Sequence, residues 1–132
     1  VVFTAHSLPH DVAASAPYQQ QLEETINGII KITGPLHWRL AFQSRGRGGG
    51  EWLGPEPEEI LDDLLQKGYH KVLICPIGFL ADHLETLYDL DIALKSWANK
   101  KGIEIIRTPC LNDAPELIEV LVHLVERALE RQ

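Results

Sequence analysis

The sequence predicts an α/β domain, a three-layer sandwich in which helices cover both faces of a four-stranded parallel sheet. Three observations carry this. Short apolar, β-rich runs alternate along the chain with longer segments of helical periodicity. Breakers stand where the two kinds of segment meet, at Gly34-Pro35, Pro57, Gly68 and Gly102. The length, 132 residues, suits one domain that buries a real core. The resulting βαβαβαβα order implies parallel strands joined by right-handed crossovers.

The first strand is VVFTAHS, Val1–Ser7. Leu22, Ile26, Ile29 and Ile30 recur at helical spacing, so Tyr18–Thr33 reads as a helix stopped by Gly34-Pro35. HWRLAFQSR, His37–Arg45, is the second strand, followed by a Gly/Pro-rich loop from Arg47 to Pro57. Glu58–Lys67 is a helix with Pro57 at its start and Gly68 at its stop. Lys71–Ile77 is the third strand, and Asp82–Lys100 a helix ended by Gly102. Ile103–Thr108 is the fourth strand. Ala114–Arg131 is a long closing helix, with Asn112 or Asp113 as its cap and Pro115 in its first turn.

Composition narrows the function. The formal charge is −7 and the pI about 5.3, which argues against a nucleic-acid surface. Arg45 and Arg47, beside three glycines, form the one basic cluster. No apolar run approaches the roughly 20 residues of a membrane span, and no signal peptide is visible. The chain opens directly on a strand without Met, which reads as an excised domain or as a trimmed sequence. Cys75 and Cys110 are far apart in sequence and read as free thiols of a reducing cytoplasm. The loop RGRGGGEWLGPEP lacks the lysine and the glycine spacing of a phosphate cradle.

In open parallel sheets, sites lie beyond the C-terminal strand ends. Polar residues gather there in this chain. The first strand ends in Ala5-His6-Ser7 and the second in Gln43-Ser44-Arg45. The third leads through Gly78-Phe79 into Asp82-His83-Leu84-Glu85, with Asp89 and Asp91 beyond. On an ideal helix Asp82, Glu85 and Asp89 share a face, and a π-bulge would bring further members to that side. One reading is a solvated helix start, with acids offsetting the dipole and Asp82 as the cap. The other is a place that handles metal ions and protons, because His6 and the Glu85/His83 pair converge in one crevice. Trp38, Phe42, Trp52, Phe79 and Tyr88 are candidates for an apolar wall suited to a flat ligand. No thiolate cluster indicates a permanent structural metal.

Four blocks together resemble the C-terminal half of a ferrochelatase, an enzyme that inserts ferrous iron into a porphyrin. They are FTAHSLP (Phe3–Pro9), AFQSR (Ala41–Arg45), WLGP (Trp52–Pro55) and PIGFLADHLETLYDLD (Pro76–Asp91). The resemblance covers nearly the whole chain and implies one chelatase-like, Rossmann-like half over residues 1–132, the N-terminal half being absent. It implies that His6 is a metal ligand or proton acceptor, with Glu85 facing it across the porphyrin. His83 and Asp82 support the site. Asp89 and Asp91 match an acidic path for metal delivery or proton exit. The family often has another acid where this chain has Ala93.

The resemblance also implies a porphyrin cleft lined by Ser7, Gln43, Ser44, Trp52, Phe79, Asp82 and Tyr88. Fe²⁺ is then a substrate rather than a permanent cofactor, and the tail ERALERQ has no cysteine cluster for an iron–sulfur centre. Partners are a porphyrin, protoporphyrin IX or coproporphyrin III, and a divalent metal. The missing wall comes from the N-terminal half or from a second copy in a homodimer. The implied location is the cytoplasm, with peripheral membrane contact through the full-length enzyme. Two alternatives stand beside this. One is a single-domain homodimeric chelatase handling cobalt or nickel, and the other a catalytically incomplete domain that binds metal or tetrapyrrole.

Overall fold

The computed structural model describes residues 1–131. Its strands are β1 (Val2–His6), β2 (Arg39–Gln43), β3 (Lys71–Cys75) and β4 (Glu104–Arg107). They form one four-stranded, all-parallel sheet in the order β2-β1-β3-β4. The helices are α1 (His10–Ala14), α2 (Tyr18–Thr33), α3 (Pro57–Gln66), α4 (Leu84–Leu87), α5 (Lys95–Lys100) and α6 (Pro115–Leu129). A π-helical segment, Asp89–Leu94, joins α4 to α5. No helix among the described residues is long and apolar enough to cross a membrane.

The centre of the sheet explains its sequence. β1 lies between β2 and β3, and Val2, Phe3, Thr4 and Ala5 are all buried, as in strands covered on both faces. One face packs Val2, Ala41, Val72, Ile74 and Ile105 against Ile60 and Leu61 of α3, Leu90 and Leu94 of the π segment and Ala98 of α5. The opposite face packs Ala5 and Phe42 against Ala13 of α1, Leu22 of α2 and Leu53. α3 starts as the sequence indicates, with proline in its first turn and a reciprocal capping box between Glu56 and Glu59.

Three details differ from the sequence expectations. The short helix α1 was not expected, because its five residues carry no usable periodicity. The expected Asp82–Lys100 helix begins at Leu84 and changes hydrogen-bond pattern at Asp89. The expected closing helix, α6, closes nothing: none of its residues is buried. The face of β3 and β4 that bears Leu73 and Ile106 therefore stays open to solvent.

Two local constraints hold the C-terminal edge of the sheet. After β3 the chain crosses close behind β1, where the Gly78 N–H donates to the Thr4 carbonyl at 3.1 Å. A Cβ on Gly78 would stand 2.7 Å from the Cα and Cβ of Ala5, so only glycine fits. The second constraint is Arg107, at the end of β4. Its Nε and Nη2 donate to the two oxygens of Asp91 at 2.7 Å, and its Nη1 donates to Asp82 at 2.8 Å. Asn112, held at a positive φ of 52°, donates its backbone N–H to the Leu80 carbonyl, while its side-chain oxygen accepts from the Asp82 N–H and its amide nitrogen donates to the Asp82 carboxylate. Burial alone raises the Asp82 pKa. The hydrogen bonds from Asn112 and the Cys110 thiol and the charge of Arg107 outweigh it and bring the group from 3.8 to about 2. Both cysteines are free, and burial followed by the Asp82 charge pushes the Cys110 thiol up to about 11.

Gly78→Ala should destabilise the chain by about 1–3 kcal/mol, the usual cost of forcing a group into a filled space, read as a lower urea midpoint at unchanged m-value. The Asp82 pKa is depressed on folding, so its contribution is complete above the ordinary value of 3.8 and is lost as pH falls toward about 2. Asp82→Asn should therefore flatten the loss of stability across that acid limb, as followed by thermal unfolding at stepped pH.

Candidate functional site

β1 and β3 are neighbours, so the residues leaving their C-terminal ends emerge side by side. His6, the last residue of β1, meets Glu85 of α4 with Nε2 3.2 Å from Oε1. Their side chains are 33% and 39% exposed, so the pair is open to solvent at the C-terminal edge of the sheet. The other imidazole nitrogen, Nδ1, lies 2.5 Å from the Ser7 carbonyl. A carbonyl only accepts, so Nδ1 carries a hydrogen. Nε2 is thereby turned toward the Glu85 carboxylate.

The surroundings fix both members. The Tyr18 hydroxyl donates to the His6 carbonyl at 2.9 Å. Burial raises the Tyr18 pKa against the opposing effect of that bond. The Gln43 amide nitrogen donates to the Glu85 carbonyl at 2.6 Å. That bond orients the amide and leaves Gln43 Oε1 buried without a partner, on a residue only 4% exposed. Phe79 stands between the two histidines, its ring centroid 6.5 Å from His6 and 5.3 Å from His83.

Asp89 lies one helical turn beyond Glu85. It accepts from the Ser44 hydroxyl at 2.5 Å. Ser44 follows β2 with φ of 59°, a left-handed conformation uncommon outside glycine. Behind this contact is a cavity of about 290 Å³ whose walls include Ser44, Arg45, Glu56, Glu58, Asp89 and Ala93. Glu58 is half-buried there. Burial, then the charges of Glu56, Asp89 and Glu59, raise its pKa. On the rim Arg45 reaches to 3.7 Å from Glu56. Among the described residues no three His, Cys, Asp or Glu side chains are grouped as a ready-made metal cage.

Several expected site residues are placed differently. His6 and Glu85 touch, so Glu85 does not face His6 across a ring; adjacent parallel strands put both on one wall. Asp82, Glu85 and Asp89 do not share a helix face, because Asp82 precedes α4 and is drawn to Arg107 and Asn112. The cap of α4 is His83 rather than Asp82, with Nδ1 accepting from the Glu85 N–H at 3.2 Å. Both oxygens of Asp91 are engaged by Arg107, so the acidic path expected through it ends at Asp89. The buried Ser7 hydroxyl is committed to the Leu53 carbonyl at 2.7 Å. The Trp52 ring lies against Gly46, where a Cβ would stand 2.6 Å away, and its buried indole N–H has no partner. Tyr88 is exposed on the α4 surface.

Sequence reasoning missed Glu58 and Arg107. Glu58 looked like an ordinary first-turn acid. Arg107 lay in a strand with no marker that it would neutralise acids at positions 82 and 91.

The sequence comparisons with known proteins point to one family. A ferrochelatase family model matches residues 1–129. A ferrochelatase of Acidobacterium capsulatum is 37% identical over 99% of this chain and 45% of its own. A coproporphyrin III ferrochelatase of Halalkalibacterium halodurans is 39% identical over 98% of this chain and 42% of its own. A ferrochelatase of Thermus thermophilus is 41% identical over 98% of this chain and 41% of its own. The chain thus spans less than half the length of these relatives. The fold also matches a solved putative cobalamin (vitamin B12) biosynthesis CbiX protein of Marinobacter aquaeolei, with a TM-score of 0.67 and 16% identity over 99% of this chain and 97% of that one. With a family match running through almost all its residues, the chain belongs to the ferrochelatase family.

Proposed function

We propose that this chain supplies the metal-inserting lobe of a ferrochelatase, exchanging the two inner N–H protons of a porphyrin for ferrous iron. The observation that carries this is the His6–Glu85 contact at the strand-end crevice, with the imidazole fixed by the Ser7 carbonyl. An imidazole nitrogen and a carboxylate oxygen at that separation suit a divalent cation of borderline softness. The same two groups suit the removal of protons. Iron is the substrate, held briefly by His6 and Glu85, and protons leave through the same pair. The buried, unpartnered Gln43 oxygen beside them offers a further acceptor to a donor entering the crevice.

The outer path runs from Asp89 into the cavity where Glu58 lies. Glu58 supplies an acid on this path beside Ala93, where the family resemblance leads one to expect a carboxylate. A carboxylate there approaches from α3 instead of from the π segment. Asp82 and Asp91 anchor the fold through Arg107 and take no part in the path. His83 positions α4 through its cap, and Phe79 holds the His6 ring. The opposite wall of the cleft belongs to a second α/β lobe, in keeping with relatives more than twice as long. Coproporphyrin III and protoporphyrin IX are the two substrate candidates, the first favoured by the name of the Halalkalibacterium relative.

Anaerobic incubation with Fe²⁺ or Zn²⁺ and each porphyrin, followed by the Soret shift, tests the reading. His6→Ala and Glu85→Gln should each slow metalation by about 10²–10⁴-fold, the usual worth of a positioned acid–base group. Full activity in either variant would refute the site. Glu58→Gln should slow metalation on the order of tenfold, or ~1.4 kcal/mol, with most of the loss at low metal concentration. Asp91→Asn should lower the unfolding midpoint instead.

A further inference from the structure

α4 brings Glu85 to His6, yet little within α4 holds it there. It has four residues, far short of the roughly 12–15 at which a helix is even marginally stable by itself in water. Toward this lobe it buries only Thr86, while Leu84 and Leu87 are 74% and 47% exposed. The π segment behind it is seated by Leu90 and Leu94 in the core. The question is what fixes the short helix in front.

Arg107 spans both flanks of this stretch. Its Nε and Nη2 hold the two oxygens of Asp91 at 2.7 Å, inside the seated π segment. Its Nη1 holds Asp82 at 2.8 Å, two residues before α4, and also donates to the Thr108 carbonyl at 2.9 Å. The side chain is 11% exposed, so its head group is fixed in place. A guanidinium is planar and presents its donors in a rigid fork. The separation of Asp82 from Asp91 is therefore set by a stiff group and not by flexible chain. Glu85 and Asp89 are the acids between these two anchors. β4, which ends in Arg107, pairs with β3, and β3 pairs with β1, which ends in His6. Both sides of the His6–Glu85 contact are thus referred to one sheet.

We propose that Arg107 is a positioning residue for metal insertion: it ties both flanks of the Asp82–Asp91 segment to the end of β4 and so places Glu85 against His6 and Asp89 against Ser44. The proposal rests on the reading of His6 and Glu85 as the metal-handling pair. None of the hydrogen bonds of Arg107 goes to either residue; it acts through Asp82 and Asp91. Lysine does not replace it. An ammonium is a point charge on a flexible stem, so it keeps the charge but loses the fork, and one flank comes free. Asp91→Asn is milder, because the amide oxygen still accepts from the guanidinium.

The test compares Arg107→Lys with wild type in the full-length protein. In the folded variant the NOE between the His6 ring protons and the Glu85 side chain should disappear. Metalation of a porphyrin by Zn²⁺ should fall on the order of a hundredfold, the cost of a misplacement of about 1 Å. KM for Zn²⁺ should rise several-fold while KM for the porphyrin stays at the wild-type value. A merely structural role would reduce the number of folded molecules and leave both KM values and the NOE unchanged. Asp82→Ala frees only the α4 flank; it should abolish the same NOE, and it serves where Arg107→Lys does not fold. Lys101→Met, which removes the ion pair with Asp62 of α3, should leave the NOE and both KM values as in wild type. A folded Arg107→Lys or Asp82→Ala protein that keeps the NOE, or keeps the wild-type KM for Zn²⁺, would overturn the proposal. Absence of metalation by the wild type would instead refute the reading of His6 and Glu85, and the NOE alone would then judge the clamp.

Discussion

Gly78 donates to the Thr4 carbonyl at a place where a Cβ would overlap Ala5, and the whole C-terminal edge of the sheet is built on that close crossing. Because the chain passes directly behind β1, Phe79 arrives beside the His6 ring. Five residues later α4 begins within reach of the same histidine, and Glu85 closes the contact. A side chain at position 78 would push β3's exit outward and carry α4 with it. The His6–Glu85 contact thus inherits its geometry from a packing limit between Gly78 and Ala5. The left-handed backbone at Ser44 does the same for Asp89 on the neighbouring strand.

The acids that follow β3 divide into two groups according to what neutralises them. Arg107, 11% exposed, takes Asp82 and both oxygens of Asp91. Those hydrogen bonds, Asp91 first, raise the Arg107 pKa further above its already high value. Burying the guanidinium carries a desolvation cost that its hydrogen bonds to two carboxylates offset, whereas removing one partner leaves a stranded charge. Glu85 and Asp89 have no such cation. They are satisfied by an imidazole and a hydroxyl, both of which can exchange protons. Glu58 has neither, and burial with neighbouring charge favours its protonated form. A cation or a proton entering from the cavity meets groups whose charge is still uncommitted.

Much of this was legible in the sequence, and the limits are physical. Tyr18–Thr33 was bounded to the residue because its apolar spacing and its Gly34 stop act locally. The α/β class followed from alternation alone. The π-helical change at Asp89–Leu94 was readable as an option, but it does not gather the acids: Asp89 bonds Ser44 while Asp91 bonds Arg107. The partnership of Arg107 with Asp82 spans 25 residues and that of His6 with Glu85 spans 79, so neither leaves a periodic trace. The face of Asp82 was misjudged for that reason: a helix-face argument cannot see a cation arriving from another strand. Ser7 and Trp52 were expected to line a porphyrin cleft; a hydroxyl bound to Leu53 and a ring packed on Gly46 are tertiary outcomes that the sequence does not display. The helical period of α6 was plain, yet periodicity records that a face is apolar and never which lobe it meets.

An apolar groove of about 260 Å³ beside the open face of β3–β4 shares residues with the surroundings of His6. Phe79 lines the groove and also packs against His6 and His83. Cys110 lines the groove and is linked by hydrogen bonding to Asp82, the residue that precedes the cap of α4. A helix seated in the groove would therefore press on the same ring and the same anchor that orient the reactive pair. Filling an apolar groove also removes water from one side of Phe79, and electrostatic interactions strengthen as water leaves. As it stands, His6 and Glu85 are each about a third exposed and solvent screens them. Covering the open sheet face is thus a step toward a dry site as well as toward a complete sandwich. The exposed face of β3–β4 and the His6–Glu85 contact lie on either side of a single phenylalanine.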